Sequence, residues 1–454
     1  MTPVVRATSP DRLLQGWGRT TASVSRVVGP LEPGALRELI AGRPDRGLLA
    51  RGAGRSYGDA AQNAGGLVLA PATASRIELD TAAATVRVAG STTFAELLTL
   101  IVPHGLLLPV LPGTRHLTVG GAVAADVHGK NQRADGTIFR WLDSIELLGG
   151  DGELRTLRAN VEADGPAFRA TVGGMGLTGV ILAATLRLIR IRSSMMRVTV
   201  RRAPDLDSLM AELESAASRY AVAWIDTTAT GRSLGRGIVD LGDHLPAPHP
   251  LAEPDGLRYG PTSAPLAPRL PLGLFNPLTA RAFNELWYRR APRERHAVQG
   301  FPEFFHRLDA VAQWNRSLGP RGFLQYQFAV PLRARHLVAE VLEALQRVGA
   351  APFLGTLKRF GPARGGPLSF PLPGWSLAVD MPLGGPRLDE LLHQLDRRVA
   401  NAGGRVYLAK DARLSRTAFD AMYGPLEDWR AARALLDPAD TMRSDLGRRL
   451  GLCR

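Results

Sequence analysis

Apolar and polar positions alternate in short runs over residues 20–190, and glycine is frequent between the runs. Apolar residues at every second position predict two strands around a turn at Ile77–Val88 and a hairpin at Ser144–Leu157. The spacing of Thr93–Val102 is helical, and a proline and a glycine follow it, so we expect an amphipathic helix. Continuous apolar runs predict further strands at 47–54, 106–111 and 180–191.

A second pattern begins near Ser193, where strands alternate with longer helices. The predicted strands are Val198–Val200, Val222–Thr227, Phe323–Val330, Phe353–Phe360 and Ser376–Met381. The predicted helices are Asp205–Ser218, Phe304–Trp314, Arg335–Val348 and Leu388–Ala402. Residues 244–278 are rich in proline and lack periodicity, which predicts a long, mobile surface loop. The tail, 404–454, combines a short strand at Val406–Ala409 with polar helices.

The composition is that of a soluble globular protein, with 45% hydrophobic and 22% charged residues. No apolar run is long enough to cross a membrane, and residues 1–15 lack the apolar core of a secretory signal, so we expect cytoplasmic synthesis. The net charge of +14 favours anionic partners, namely nucleic acid, phosphorylated substrates or an acidic membrane face. Arginine bias from a high-GC genome explains the same charge, since the only lysines are Lys130, Lys358 and Lys410. Both interpretations stay open.

The chain has a single cysteine, Cys453, beside the C-terminal residue. One thiol excludes a disulfide within the chain, a cysteine metal site and a C-x-x-C redox pair. Redox chemistry would therefore depend on a cofactor.

Glycine is concentrated in three segments, 51–59, 112–131 and 173–179. Such segments turn tightly and can direct backbone N–H groups at an anion. The third contains a G-x-G-x-x-G spacing, but an apolar strand follows it instead of a helix, and no acid lies in 193–201. We therefore reject a Rossmann site. Three glycine segments beside apolar strands favour a dinucleotide cradle over unrelated tight turns.

The glycine segments read RGAGRSYGDAAQN, LPVLPGTRHLTVGGAVAADVHGKN and ATVGGMGLTGVI. They resemble the FAD domain of the vanillyl-alcohol oxidase superfamily. The later motifs ELWYR (285–289), GFLQYQF (322–328), PLSFPLPGW (367–375) and YLAKDAR (407–413) extend the resemblance over nearly the whole chain. Within the superfamily, HGKN together with QYQF and AKD resembles the decaprenylphosphoryl-β-D-ribose 2-oxidase family.

The resemblance implies an α+β fold with a two-part PCMH-type FAD-binding domain over 13–192. A substrate-binding α+β domain with an antiparallel sheet would follow over 193–403, and the segment 404–454 would return to the FAD domain. The FAD-binding residues that the resemblance implies are Arg51, Gly52, Ala53, Gly54, Arg55, Ser56, Tyr57, Gly58, Asp59, Gly113, Thr118, Val119, Gly120, Gly121, Ala125, Asp126, Val127, His128, Val180 and Tyr407. Relatives with covalent FAD attach it to a histidine of the first loop, where this chain has Arg55. Because no histidine precedes Val102, non-covalent FAD is implied.

The implied reaction oxidises the 2-hydroxyl of a polyprenyl-phosphoryl-β-D-ribose to a 2-keto product, the first half of an epimerisation that supplies arabinose for cell-wall arabinan. A flavin is required because no side chain accepts a hydride well. Lys410, in the AKD motif, matches the essential lysine of the family and would act as base or hydrogen-bond donor. Otherwise it is a surface lysine at a strand end. His128 is the second candidate base, or a structural histidine.

Two glutamines and a lysine are candidate substrate residues. Gln325 and Gln327 alternate on a predicted strand, so they share one face and could bind sugar hydroxyls, or form one polar face of a sheet. Lys358 lies among apolar residues and could pair with a substrate phosphate or a flavin oxygen.

Three candidate substrate positions depart from the mycobacterial pattern. Phe305 stands where a tyrosine is usual and Ser376 where an asparagine is usual. Ala378 replaces the cysteine that nitroaromatic covalent inhibitors of the family attack. We expect catalysis to survive the last change and covalent capture to be lost. The first two changes bear on the identity of the sugar or lipid.

The resemblance also implies partners. An NAD(P)H-dependent short-chain reductase would complete the epimerisation, and the positive surface suits peripheral contact with a membrane, on either face. A soluble sugar or aldonolactone oxidase that uses oxygen is the nearest alternative. A basic nucleic-acid-binding protein is a third, although the arginines are dispersed without an aromatic-interleaved patch. We expect no nucleic-acid partner and no metal.

Overall fold

The computed structural model describes residues 11–71, 76–246, 257, 259–260, 264–268, 276–319, 321–362 and 364–454. Most of the predicted loop 244–278 lies outside these described residues. Within them the chain forms sheets of four, five and eight strands and a separate two-stranded pair, with helices packed on them, which confirms the predicted α+β class.

The first sheet holds four short strands in the order β1-β2-β4-β3. Their bounds are β1 Asp11–Gln15, β2 Ala22–Val28, β3 Leu48–Ala50 and β4 Leu67–Leu69. β2, β4 and β3 pair in parallel, and helix α1 (Pro33–Ala41) connects β2 to β3. β3 leads directly into the first glycine loop, so this sheet positions that loop at its edge.

The second sheet has the order β5-β6-β10-β8-β9, and its neighbouring strands are antiparallel. Its strands are β5 Ile77–Asp80, β6 Thr85–Ala89, β8 Leu142–Gly149, β9 Leu154–Arg158 and β10 Gly179–Arg187. A separate pair joins β7 (Leu106–Leu107) to β11 (Ile189–Arg190). The helices of this region are α2 Phe94–Ile101, α3 Val119–Ala124, α4 Gln132–Asp135 and α5 Gly165–Thr171.

The large sheet has eight strands in the order β15-β12-β14-β13-β17-β18-β16-β19. They are β12 Met195–Ala203, β13 Tyr220–Ile225, β14 Gly237–His244, β15 Glu294–Gly300, β16 Phe323–Pro331, β17 Leu354–Phe360, β18 Gly374–Pro382 and β19 Arg405–Val406. The helices are α6 Leu206–Ser215, α7 Pro277–Arg290, α8 Phe301–Phe305, α9 His336–Arg347, α10 Pro386–Asn401, α11 Arg416–Tyr423, α12 Glu427–Leu436 and α13 Asp445–Leu450.

Four predicted elements differ from the structure. The strand predicted at 180–191 is divided into β10, which ends at Arg187, and β11, which belongs to a separate pair. The helix predicted at Phe304–Trp314 is replaced by α8 and two short 3₁₀ turns, because Asp309 turns away to accept a hydrogen bond from the backbone N–H of Arg115 at 2.8 Å. The strand predicted at 106–111 ends at Leu107. The strand predicted at 406–409 ends at Val406 and gives way to a turn.

The tail contacts both halves of the molecule. β19 pairs with β16 at the edge of the large sheet, whereas Met442 forms a parallel bridge with Leu48 in the first sheet. The division into 13–192, 193–403 and 404–454 stays a proposal.

Candidate active site

A cavity of about 1040 Å³ is lined by residues of all three glycine loops, of the large sheet and of the tail. This volume lies at the upper end of the range of roughly 300–1,000 Å³ that is usual for small-molecule sites. Most of the predicted cofactor-binding residues line it: Arg51, Gly52, Ala53, Gly54, Arg55, Ser56, Tyr57, Gly113, Thr118, Gly120, Gly121, Ala125, Val127, His128, Val180 and Tyr407. The cavity therefore gathers residues that are up to 393 positions apart in the chain (17 to 410).

Four predicted cofactor-binding residues do not line the cavity, namely Gly58, Asp59, Val119 and Asp126. A Cβ on Gly58 would lie 2.1 Å from the carbonyl oxygen of Asp411, so glycine is needed for the tail to pass close. Asp59 pairs with Arg449 at 2.7 Å. Val119 is fully buried in the apolar core, and Asp126 accepts a hydrogen bond from the backbone N–H of Phe139 at 3.1 Å.

The first glycine loop lies against the start of α3. Thr118 caps this helix by accepting a hydrogen bond from the backbone N–H of Gly121 at 3.2 Å. A Cβ on Gly52 would lie 2.2 Å from Thr118 Oγ1, so only glycine allows this approach. Residues 50–57 bring two arginines and no acidic side chain to the cavity wall. This cradle and its charge fit an anionic dinucleotide.

Arg55, at the position where covalent relatives have histidine, is fixed by two contacts. Its Nε donates to the carbonyl oxygen of His116 at 3.1 Å, and its guanidinium carbon lies 4.0 Å from the centroid of the Trp17 ring. Burial lowers the pKa of Arg55, although Asp309 opposes this effect. A guanidinium stays protonated and is a poor nucleophile, so this side chain can bind an anion but does not offer a covalent link.

The tail places Lys410 at the cavity through a turn. The N–H of Tyr407 donates to the carbonyl of Gln327 on β16 at 2.9 Å, and the N–H of Lys410 donates back to Tyr407 at 2.9 Å. Lys410 Nζ then lies 3.6 Å from the centroid of the Tyr57 ring, while the N–H of Tyr57 donates to Ala409 at 3.0 Å. Lys410 is thus a cavity residue and not a surface lysine at a strand end.

Asp380 is an acid of this site that the sequence analysis missed. It lies opposite Gln325 on the neighbouring strand, and both of its carboxylate oxygens accept from Gln325 Nε2, at 2.9 and 2.8 Å. Burial raises the pKa of Asp380 and lowers that of Lys410, and the charge of each partly opposes the effect of burial on the other. The signal in the sequence was an aspartate inside an apolar strand, two residues after Ala378.

His128 is enclosed by aromatic rings. Its ring centroid lies 5.0 Å from that of Phe360 and 5.3 Å from that of Tyr407, and Gln327 Nε2 donates to its Nε2 at 3.3 Å. Burial lowers the pKa of His128 well below its ordinary value, and the charges of Lys358 and Lys410 act in the same direction. The imidazole is therefore neutral at physiological pH and a weaker base than Lys410.

Five of the six predicted substrate residues line the cavity. Gln325 and Gln327 lie on β16, Lys358 on β17, Ala378 on β18 and Phe305 at the end of α8. Ser376 does not: it is buried behind Gln327, whose Nε2 donates to Ser376 Oγ at 3.4 Å. The asparagine-to-serine departure thus acts through Gln327. Burial lowers the pKa of Lys358 to about 8.

A second polar group on the cavity wall was also missed. Lys130, from the HGKN motif, donates to the carbonyl of Phe304 and lies 4.2 Å from the centroid of its ring. Arg307 donates two hydrogen bonds to Asp240, at 2.7 and 3.1 Å, and the charges of both residues act on Lys130. Burial lowers the pKa of Lys130 to about 7. All the lysines of the chain therefore line one cavity.

Comparison with known proteins agrees with the dinucleotide site that the glycine loops form. Residues 26–158 match the model of an FAD binding domain. The chain is 39% identical over 452 residues to decaprenylphosphoryl-β-D-ribose oxidase of Mycolicibacterium smegmatis, covering 97% of both chains. The chain belongs to this oxidase family. It is an FAD-dependent oxidoreductase, so the predictions of family, cofactor and enzyme class are confirmed.

Two further proteins are similar to this chain. An uncharacterised protein in the mprA 5′ region of Streptomyces coelicolor is 40% identical over 376 residues, which cover 79% of this chain and all of that protein. An alditol oxidase of a Streptomyces species is 31% identical over 173 residues, 38% of this chain and 40% of its own. In the part of the chain that the structure describes, no helix is long and apolar enough to cross a membrane.

Proposed function

We propose that this chain oxidises the 2-hydroxyl of a polyprenyl-phosphoryl-β-D-ribose to the 2-keto sugar. One observation carries the proposal: the motifs HGKN, QYQF and AKD, which are far apart in the chain, bring His128, Gln325, Gln327 and Lys410 to one cavity. The family relationship over nearly the whole chain supports the same substrate class.

In this proposal Lys410 takes the hydroxyl proton. The lowered pKa of its amine leaves a useful fraction uncharged near neutral pH, and Asp380 stabilises the ammonium that forms. Asp380 is itself held by Gln325, so the pair is oriented before substrate arrives. FAD, when bound, accepts the hydride from the sugar carbon. His128 stays neutral, and its Nε2 already accepts a hydrogen bond from Gln327, so it is the second candidate for the base.

We propose that FAD is held without a covalent bond. The residues that would hold it are the cavity-lining members of 51–57, 113–128 and 176–180, with Tyr407 from the tail. Arg51 and Arg55 would meet the pyrophosphate. Precipitation of the protein with acid should leave all the flavin in the supernatant, and flavin retained in the pellet would contradict non-covalent binding.

The remaining polar side chains of the cavity suit a phosphorylated sugar. Gln325 and Gln327 offer amide groups to sugar hydroxyls. Lys358 Nζ has no hydrogen bond or ion pair among the described residues that would neutralise it, so its charge is available to a phosphate. A short-chain NAD(P)H-dependent reductase would complete the epimerisation, and peripheral contact with a membrane would give access to the lipid.

Anaerobic bleaching of the flavin tests this function. The purified holoenzyme is mixed with farnesylphosphoryl-β-D-ribose, and the visible flavin absorbance is followed. We expect rapid bleaching with this compound and none with free ribose or alditols. Bleaching by alditols alone would contradict the proposal.

A soluble alditol or sugar oxidase is the second candidate, because the alditol oxidase shares 31% identity over 173 residues. In that case oxygen should reoxidise the reduced flavin rapidly after turnover of a free alditol.

A further inference from the structure

Helix α7 exposes an unusual number of large apolar side chains. Leu278, Phe283, Leu286 and Trp287 have 79%, 55%, 57% and 46% of their surface exposed. The rings of Phe283 and Trp287 are stacked, with centroids 6.2 Å apart and planes inclined by 13°. A surface helix of a globular protein normally turns its large apolar residues towards the core.

The inward face of α7 is instead held by polar contacts. Asn284 is buried, and its Nδ2 donates to Asp226 Oδ1 at 3.1 Å. Tyr288 donates its hydroxyl to the carbonyl of Ala203 at 3.2 Å, and Glu285 pairs with Arg236. Apart from the small, buried Ala280, these contacts fix the helix without its apolar side chains, so the outward face with the large apolar residues is left for another surface.

The charge around this face is positive. Arg281, Arg289 and Arg290 are exposed on the helix, and Arg293 follows it at the surface. The one acid of the helix, Glu285, is already engaged by Arg236 and Arg289. An apolar helix face rimmed by arginines matches a bilayer that carries anionic headgroups.

The same helix forms part of the cavity wall. Phe283 and Trp287 line the cavity that contains Lys410 and Gln325, while both rings are also about half exposed. Leu308, which is 43% exposed, lines the cavity as well. Apolar side chains of the outer face of α7 and the candidate catalytic residues therefore line the same cavity.

We propose that α7 docks the protein on an anionic phospholipid bilayer, with Phe283, Leu286 and Trp287 in the boundary between headgroups and acyl chains. The arginines lie on the lipid phosphates, and the polyprenyl chain of the substrate passes along Phe283 and Trp287 into the cavity. This inference rests on the proposed function for its lipid substrate, but the docking itself can be measured without turnover.

Sedimentation of the holoenzyme with vesicles tests the docking. We expect binding to phosphatidylcholine vesicles that contain phosphatidylglycerol, and weaker binding to pure phosphatidylcholine or in high salt. Leu286→Glu should weaken binding to the mixed vesicles by roughly tenfold or more, since it removes an inserted side chain and adds a negative charge. The matched control is Leu435→Glu on α12, where Leu435 is 75% exposed and lines no part of the cavity; it should bind as the unmodified protein does.

A second variant and the flavin absorbance distinguish a loss of membrane binding from misfolding. Arg289→Glu/Arg290→Glu should weaken binding only to the vesicles that contain phosphatidylglycerol, and the flavin absorbance of each variant shows that its fold is retained. Equal vesicle binding by Leu286→Glu and the unmodified protein would overturn the proposal. It would also be overturned if the unmodified protein formed a dimer that Leu286→Glu dissociates, because the face would then be a protein interface.

Failure of the proposed function gives a different result. If farnesylphosphoryl-β-D-ribose does not bleach the flavin of the unmodified protein but vesicle binding depends on Leu286, the function fails and the docking stands. If bleaching occurs and vesicle binding is absent, the function stands and the docking fails.

Discussion

Lys410 and Asp380 both line the cavity, and each alters the ionisation of the other. Burial disfavours both charges, so each pKa moves towards neutrality. An amine in this state gives up and takes a proton readily at the pH of the cell. At the scale of the residue, position in the folded chain therefore turns an ordinary lysine into a candidate base.

Replacing Lys410 tests this role. We expect Lys410→Met to retain FAD but to lose about 100-fold or more in the rate of anaerobic flavin reduction, because the hydroxyl proton has no acceptor. In the unmodified protein the rate should rise with pH through the lowered pKa of Lys410, since only the uncharged amine accepts a proton. Stopped-flow absorbance over a pH series measures both effects.

Lys410→Arg separates a base from a fixed cation. The guanidinium keeps the charge but remains protonated at every accessible pH. A base role predicts that this variant is as slow as Lys410→Met. If Lys410→Arg reduces its flavin at nearly the normal rate, Lys410 acts as a cation and another group takes the proton.

We expect Ala378 to prevent covalent capture by nitroaromatic inhibitors, which attack a cysteine at this position in the family that the chain resembles. The only thiol of the chain is Cys453, and burial raises its pKa, which makes it a poor nucleophile. During turnover with such an inhibitor, the unmodified protein should keep its mass, whereas Ala378→Cys should gain one adduct. Intact-protein mass spectrometry reads the outcome, and an adduct on the unmodified protein would contradict it.

α13 shows how one short element can join distant parts of a site. Arg449 on this helix pairs with Asp59 behind the first glycine loop at 2.7 Å, and with Asp411, the neighbour of Lys410, at 2.9 Å. Its Nη1 also donates to the carbonyl of Leu414 at 2.6 Å. At the scale of the element, the tail is therefore held to the FAD cradle by a largely buried charge cluster.

Arg449→Ala should leave two buried carboxylates without their partner. We expect a loss of about 2–4 kcal/mol in the free energy of unfolding and weaker retention of FAD. Arg416→Ala is the matched control, since Arg416 forms an exposed pair with Asp420 at 3.7 Å; it should change stability by less than about 1 kcal/mol. Urea unfolding and flavin release measure the two effects, and equal losses in both variants would exclude a special role for Arg449.

The molecule as a whole has 56 lysines and arginines, yet Lys130, Lys358 and Lys410 are the only lysines, and they all line one cavity. Burial lowers the pKa of each. A guanidinium cannot lose its proton in this way. Lysine therefore replaces arginine, the common basic residue of this chain, where the site uses an amine that can change its charge.

A buried lysine destabilises the fold when it must be charged. The pKa of Lys130 falls from 10.5 in the unfolded chain to about 7 in the fold, so between these values the unfolded chain binds more protons and stability rises with pH. Lys130→Met removes this effect. We expect the variant to be more stable than the unmodified protein by about 2–4 kcal/mol at pH 6, with the difference shrinking towards pH 10. Urea unfolding over this pH range measures it, and a difference independent of pH would contradict the burial of a titrating amine.

Local patterns sufficed to predict most of the elements beside the site. The capped helix after Thr93, the strands on either side of the 149–152 turn and the strands that carry Gln325 and Lys358 follow from periodicity and turn residues, which act within a few positions. The glycine loops predicted a dinucleotide cradle for the same reason. The resemblance then supplied FAD and the oxidase family.

Only the tertiary structure decided which side chains meet. Asp309 breaks a predicted helix because its partners, Thr114 and Arg115, lie almost 200 positions away. Asp380 lies in the site because it pairs with Gln325 in the register of β16 and β18. Ser376 does not line the site because Gln327 lies between it and the cavity. The sequence determined which elements form and which residue types are available. The pKa values of the site residues and the exposure of the apolar face of α7 depend on burial, and burial is decided by packing between residues that are far apart in the chain.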